Sequence, residues 1–253
     1  MLRDRISIVV VGCGGTGAAL VTGLPYLHHA LLAAGHPSGI RVCVVDGDRI
    51  TETNCVRQPF TLSEVGLYKA QVLINRLNVF WGLDWCAIPT DVRCGRDVPD
   101  CDFLISCVDT RAARATLARV TRLKTRKFDY WIDTGNSSAS GQFVMGEPLR
   151  PNRKDRSTRL PCVDELFPQM TRAALGRRDS QPACSAAAAL VKQEPYINQS
   201  LAQFVLAMLA RLFRHGEISY HGGFVNLATG RVNPLPVDRA VWNRLRSSAA
   251  SRR

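Results

Sequence analysis

Two carboxylates and an Asn/Arg/Gln cluster crowd into Asp46-Gly47-Asp48-Arg49-Ile50-Thr51-Glu52-Thr53-Asn54-Cys55-Val56-Arg57-Gln58, about 30 residues after the glycine-rich turn Gly12-Cys13-Gly14-Gly15-Thr16-Gly17. The apolar run Ile6 to Val11 leads into that turn, so the order is strand, glycine turn, helix, strand and acidic tip. This is the layout of a nucleotide-binding βαβ unit. The glycines alone suit a dinucleotide cofactor. The acidic pair followed by Asn54, Arg57 and Gln58 points to ATP and to attack on its α-phosphate.

Such an attack needs a held triphosphate, a fixed ribose, neutralised charge on the leaving pyrophosphate, and a carboxylate delivered in line. Gly12, Gly14 and Gly17 would let backbone N–H groups approach phosphate at a helix N-terminus, where the helix dipole also favours an anion. Asp46, closing the second strand, is placed to accept from ribose hydroxyls. Arg57 offers a planar fork and Lys69 a point charge for phosphate oxygens. Asp48 and Asp109 are hard oxygen ligands suited to magnesium.

Each residue has a plainer reading. Glycines mark many turns, Asp46 would serve in one, Lys69 would sit on any exposed helix, and Asp109-Thr110-Arg111 would cap a helix. Their joint order on successive strand tips favours chemistry, because open α/β sheets bind ligands in the loops at the carboxyl ends of their strands.

The elements that must carry these residues are legible as alternating strands and helices up to about residue 135. Strands are expected at Ile6 to Val11, Ile40 to Val45, Asp84 to Pro89, Phe103 to Val108 and Tyr130 to Asp133. Helices are expected from Thr16 to Ala34, from Thr61 through Asn78 with Ser63 as N-cap, and over 110–126. Gln142 to Met145 reads as an antiparallel addition, and Glu217 to Asn226 with Arg231 to Leu235 as a terminal hairpin. The class is α/β: a Rossmann-like, mainly parallel twisted sheet with helices on both faces. Residues 1–146 form the adenylation core in this reading, 147–183 a basic, proline-rich crossover, 184–236 the C-terminal helices and hairpin of the same domain, and 237–253 a disordered basic tail.

A net charge of +12 is unevenly placed, with eight Lys or Arg against three acids in residues 150–178. Contact with nucleic acid would be at most non-specific, since no aromatic interleaving accompanies the charge. No apolar run reaches the ~18 to 20 residues that span a bilayer, and the N-terminus leaves no room for a signal peptide, so a cytoplasmic location is expected. Nine cysteines without a CxxC pair indicate neither a disulfide framework nor a zinc knuckle; Cys43, Cys101 and Cys107 lie in strand-like runs and read as core residues. Cys184 differs. It lies at the end of the crossover, near a helix start and close to Arg177 and Arg178, all of which favour thiolate. Cys162 is second to it.

The succession GxGGxG, Asp-x-Asp, Asn54-x-x-Arg57-Gln58, Lys69 and Asp109 followed by Arg114 resembles the ThiF/MoeB/ubiquitin-activating superfamily over residues 5 to about 146, and again around 183–210. Leu160-Pro161-Cys162, Cys184-Ser185, Ile197-Asn198-Gln199 and Asn226 to Val232 are similar to the ThiF-like members of the PRTRC cassette. The resemblance implies that Asp46 binds ribose, that Asn54, Arg57, Gln58 and Lys69 bind the triphosphate with Gly12, Gly14, Gly15 and Gly17, and that Asp109, with Asp48, holds Mg2+. It implies ATP-dependent adenylation of the C-terminal carboxylate of a small ubiquitin-like or sulfur-carrier protein. A thioester on Cys184 and a conjugating-enzyme-like partner would follow, in a homodimer. The two CxxC pairs of zinc-bearing relatives are absent, so no zinc is expected. A nicotinamide-dependent oxidoreductase and a nucleotide-binding scaffold without turnover are the rivals from other classes.

Overall fold

A computed structural model describes residues 4–149, 159–172 and 193–250. One eight-stranded sheet runs through it, in the spatial order β3-β2-β1-β4-β5-β6-β7-β8. The parallel part comprises β1 (Ile6–Val11), β2 (Ile40–Val45), β3 (Cys86–Ile88), β4 (Cys101–Ser106) and β5 (Phe128–Asn136). β6 (Ser140–Gly146), β7 (Tyr220–Asn226) and β8 (Arg231–Pro236) extend it antiparallel. β1 and β2 bury most of both faces, as expected of central parallel strands and of their continuous Val/Ile sequence.

Alternate residues of β1 send their side chains into two separate cores. On one face Ile6, Ile8 and Val10 pack with α1 (Gly15–Ala33), α2 (Lys69–Trp81) and a later long helix, Ile197–His215. On the other, Val9 and Val11 pack with α3 (Arg111–Val120) and α4 (Val163–Leu166). The long helix is designated α5, and a last helix, Arg239–Ala250, α6. The chain runs from β1 outwards to β2 on one side and returns to β4 on the other. The glycine turn after β1 therefore stands at the point where strand order reverses, which is where open α/β sheets bind their ligands.

Three local expectations need correction. Ser63 caps no long helix: Thr61 opens a single 3-10 turn, Leu62–Glu64, and α2 starts only at Lys69. Gly66 at φ +90° breaks the path between them. The helix expected over 110–126 ends at Val120, after Thr110 has capped it by accepting from the Ala113 N–H at 3.1 Å. Within the stretch 237–253 expected to be a disordered tail, 251–253 lie outside the described residues and Arg239–Ala250 form α6. Its Trp242 is buried, lies edge-on to His221 at 5.3 Å and donates from Nε1 to the Pro236 carbonyl at 3.1 Å. Val241 and Leu245 complete an apolar stripe beneath the arginines. Among the described residues no helix is long and apolar enough to cross a membrane.

Candidate active site

The four glycines of the turn divide by what a side chain would meet. Gly12 has φ +93°, and a Cβ there would lie 2.7 Å from the Cys107 carbonyl oxygen. A Cβ on Gly17 would strike the Gly12 carbonyl, so these two close the turn itself. At Gly15 the obstacle is Asn198 of α5, 2.5 Å away, which makes Gly15 a helix-packing glycine. Only Gly14 faces open space. It is also the N-cap of α1, with no side-chain cap and no acid in the first turn, so the helix N-terminus is left for an anion.

Asp46 is buried beside that turn. Its carboxylate accepts the Cys13 N–H and, at 2.8 Å, the Asp48 N–H, which ties the tip of β2 to the turn after β1. Burial pushes the Asp46 carboxyl up from the ordinary carboxylate range, against the pull of the Cys13 amide. Lys69 opens α2, where a cation opposes the helix dipole; Asp48 offsets this by accepting from its Nζ at 2.8 Å. The lysine side chain is 7% exposed and the Asp48 side chain 69%, so this ion pair keeps one member open to solvent.

Asn54, Arg57 and Gln58 lie on a loop closed at its base by the Arg49–Tyr68 bridge, with the Arg49 guanidinium 4.0 Å above the Tyr68 ring centroid. The Ile50 N–H donates to the Leu67 carbonyl at 2.8 Å, and Ile50 and Phe60 anchor the loop in the core. Asn54 shapes this loop. Its Oδ1 accepts the Thr51 N–H at 2.9 Å and its carbonyl accepts the Arg57 and Gln58 N–H groups. Arg57 donates from Nη1 to Gln193 Oε1 at 2.6 Å, while Arg57 Nε and Gln58 Oε1 are buried with no partner. Orphaned polar atoms of this kind are costly unless a ligand completes them. They suit the oxygens and amino groups of a nucleotide.

Asp109 is exposed in the loop after β4, one residue before the cap of α3. Arg114 does not share that exposure. It is buried, donating from Nε to Asp133 Oδ1 at 2.9 Å and from Nη2 to the Val108 and Thr134 carbonyls. Arg114 thus fixes the backbone beside Asp109 and leaves the ligand to others. The exposed carboxylates of Asp48 and Asp109 on two strand tips are the donor chemistry that magnesium takes.

Sequence reasoning gives no site role to Gln193, and quotes Asn198 only within the resemblance motif Ile197-Asn198-Gln199. Asn198 is a polar residue on the buried face Ile197, Leu201, Ala202 and Val205 of α5, and that interruption was the available signal. Gln193 carried none. Cys184 lies outside the described residues. Cys162 is buried at the N-cap of α4, and burial with Glu165 and Asp164 alongside pushes its thiol well up, so it is a poor nucleophile. Cys43 and Cys101 are core residues, the latter raised to about 12 by burial, and Cys107 underlies the glycine turn.

The ThiF family profile matches residues 2–240. No curated protein matches the chain. Among solved structures, PaaA is similar with a TM-score of 0.58 at 13% identity, covering 92% of this chain and 64% of its own. MccB of E. coli gives 0.61 at 15% identity, over 92% and 63%. MccB with ATP gives 0.56 at 16%, over 92% and 64%. The likeness is one of fold, and the chain spans under two thirds of the length of these neighbours.

Proposed function

The chain belongs to the ThiF family, and from that premise we propose that it adenylates the C-terminal carboxylate of a small protein of ubiquitin-like or sulfur-carrier type. The observation that carries this reading is the convergence of Gly14, Asp46, Lys69 and Arg57 on the carboxyl edge of β1 and β2, with two buried polar atoms left unpartnered on the Asn54–Gln58 loop. A solved neighbour of this fold holds ATP, which supports the choice of nucleotide.

In the reaction a carboxylate oxygen of the carrier attacks the α-phosphorus, the bond from that phosphorus to the α,β-bridging oxygen breaks, and pyrophosphate leaves with that oxygen. The Gly14 end of α1 binds phosphate, Asp46 orients the ribose, and Lys69 and Arg57 draw off the charge that builds on the leaving group. Magnesium, held by Asp109 with Asp48, would supply further neutralisation of the pyrophosphate. A thiolate at Cys184 would then attack the acyl carbon and expel AMP, leaving a thioester for a conjugating-enzyme-like partner. The protein would act as a homodimer, the commonest closed assembly. The test is ATP–pyrophosphate exchange with a candidate carrier. Exchange that needs the carrier's free C-terminal carboxylate supports the proposal; ATP binding with no exchange for any carrier supports a scaffold instead.

A further inference from the structure

Arg57 is held differently from every other cation of the site. Lys69 has a carboxylate, Asp48, at 2.8 Å, whereas the described partner of Arg57 is the neutral amide oxygen of Gln193 at 2.6 Å. That same oxygen accepts from Asn198 Nδ2 at 3.2 Å. Asn198 in turn accepts from Thr16 Oγ1 at 2.9 Å and fills the space left by the missing side chain of Gly15. An unbroken line of side-chain contacts therefore joins the glycine turn, α5 and the Arg57 loop, segments 182 and 136 residues apart in sequence.

The backbone contributes to this line. Tyr196 is the only non-glycine residue with positive φ among the described residues, at +70°, and it stands at the N-cap of α5 between Gln193 and Asn198. A left-handed conformation is unfavourable for a residue with a side chain. The reversal lies between two side chains five positions apart that are hydrogen-bonded to each other. Asn198 is buried, and Thr16 beside it is buried too, so the tie is shielded from competing water.

We infer that Gln193 and Asn198 are positioning residues for nucleotide binding: they hold Arg57 towards the glycine turn while leaving its charge unneutralised for a phosphate group. The inference rests on the adenylation reading and adds to it the reason why a neutral side chain stands at position 193. A carboxylate there would pair with Arg57 and compete with the phosphate for it.

The experiment is calorimetric titration of ATP, with magnesium, into the wild-type chain and the Gln193→Glu, Arg57→Ala and doubly substituted variants. Gln193→Glu should weaken ATP binding by about tenfold, with the defect shrinking at high salt as the new ion pair is screened. In the Arg57→Ala background the same change should have no further effect, because the cation it captures is gone. A residue that served only to shape α5 would show the same loss in both backgrounds. Wild-type affinity in Gln193→Glu, or a loss that persists undiminished without Arg57, overturns the inference while leaving adenylation standing. A wild-type chain that binds no ATP removes the adenylation reading and the inference together.

Discussion

The loop just past β2 and the carboxyl half of β5 carry the same ingredients and put them to opposite uses. Each has an aspartate met by a cation from a neighbouring helix, Asp48 by Lys69 at 2.8 Å and Asp133 by Arg114 at 2.9 Å. At β5 both side chains are buried, 1% and 6% exposed, and Ser106 Oγ donates to the same carboxylate oxygen at 2.7 Å. At β2 the carboxylate is mostly exposed and only the lysine is shielded. A pair sealed on both sides can hold a fold but meets no substrate; a pair open on one side can exchange its partner for a ligand. An aspartate towards the carboxyl end of a strand is therefore not enough to mark a site, and the exposure of its carboxylate decides.

Between these two strands stands β4, with Asp109 exposed beyond its tip, and substitution there should have the largest effect on activity. Asp109→Ala is expected to abolish pyrophosphate exchange and to leave the unfolding midpoint in denaturant unchanged, since no core side chain is lost. Arg114→Ala, five residues on, should invert that result. It strands the Asp133 carboxylate in the core and should cost about 3 to 5 kcal/mol in denaturant unfolding. If Asp109→Ala unfolds the protein or Arg114→Ala is stable, the division between the open and the closed tip is wrong.

Lys69→Ala tests the open pair from its other side. Asp48 remains solvated, so stability should fall by only about 1 kcal/mol or less. The rate of exchange should fall by about 2 to 4 kcal/mol of transition-state stabilisation. Comparable losses in both measurements would show that this pair, too, is structural.

A smaller effect comes from the antiparallel half of the sheet. His221 is fully buried; its Nδ1 bonds the Met145 carbonyl at 2.6 Å and its Nε2 has no partner. Burial lowers its pKa from the ordinary 6.5, so the folded protein keeps the ring neutral where the unfolded chain binds a proton. Stability is then fully present above about pH 6.5 and is lost as pH falls below it, by at most about 1.4 kcal/mol per unit. The raised carboxyls of Asp46, Asp133 and Asp164 oppose this at lower pH. Unfolding of His221→Phe should show a flatter pH dependence below neutrality, with a residual slope from His28, whose pKa burial also lowers. An unchanged slope would contradict the assignment.

The parallel half of the fold was legible because its signals are local: an apolar run, a glycine turn and an acidic tip follow one another along the chain. What escaped was long-range or disguised. The arginines of α6 mask the stripe Val241, Trp242 and Leu245, which becomes meaningful only against the core beneath it. At the site, the order of residues along the chain points to Asp46, Lys69 and Arg57, whereas the structural role of Arg114 depends on Asp133 beside it in space. Gln193 and Asn198 reach Arg57 and Thr16 across the whole domain, and the polar break at Asn198 marks a buried polar residue without naming its partners over that separation.

The central claim is that the glycine turn and its neighbours select ATP. Its most direct test is equilibrium titration of the purified chain with ATP and magnesium, and separately with NAD. The account predicts saturable ATP binding that Lys69→Ala and Arg57→Ala weaken, with no competition from NAD. Tight NAD binding in the absence of any ATP binding would contradict it.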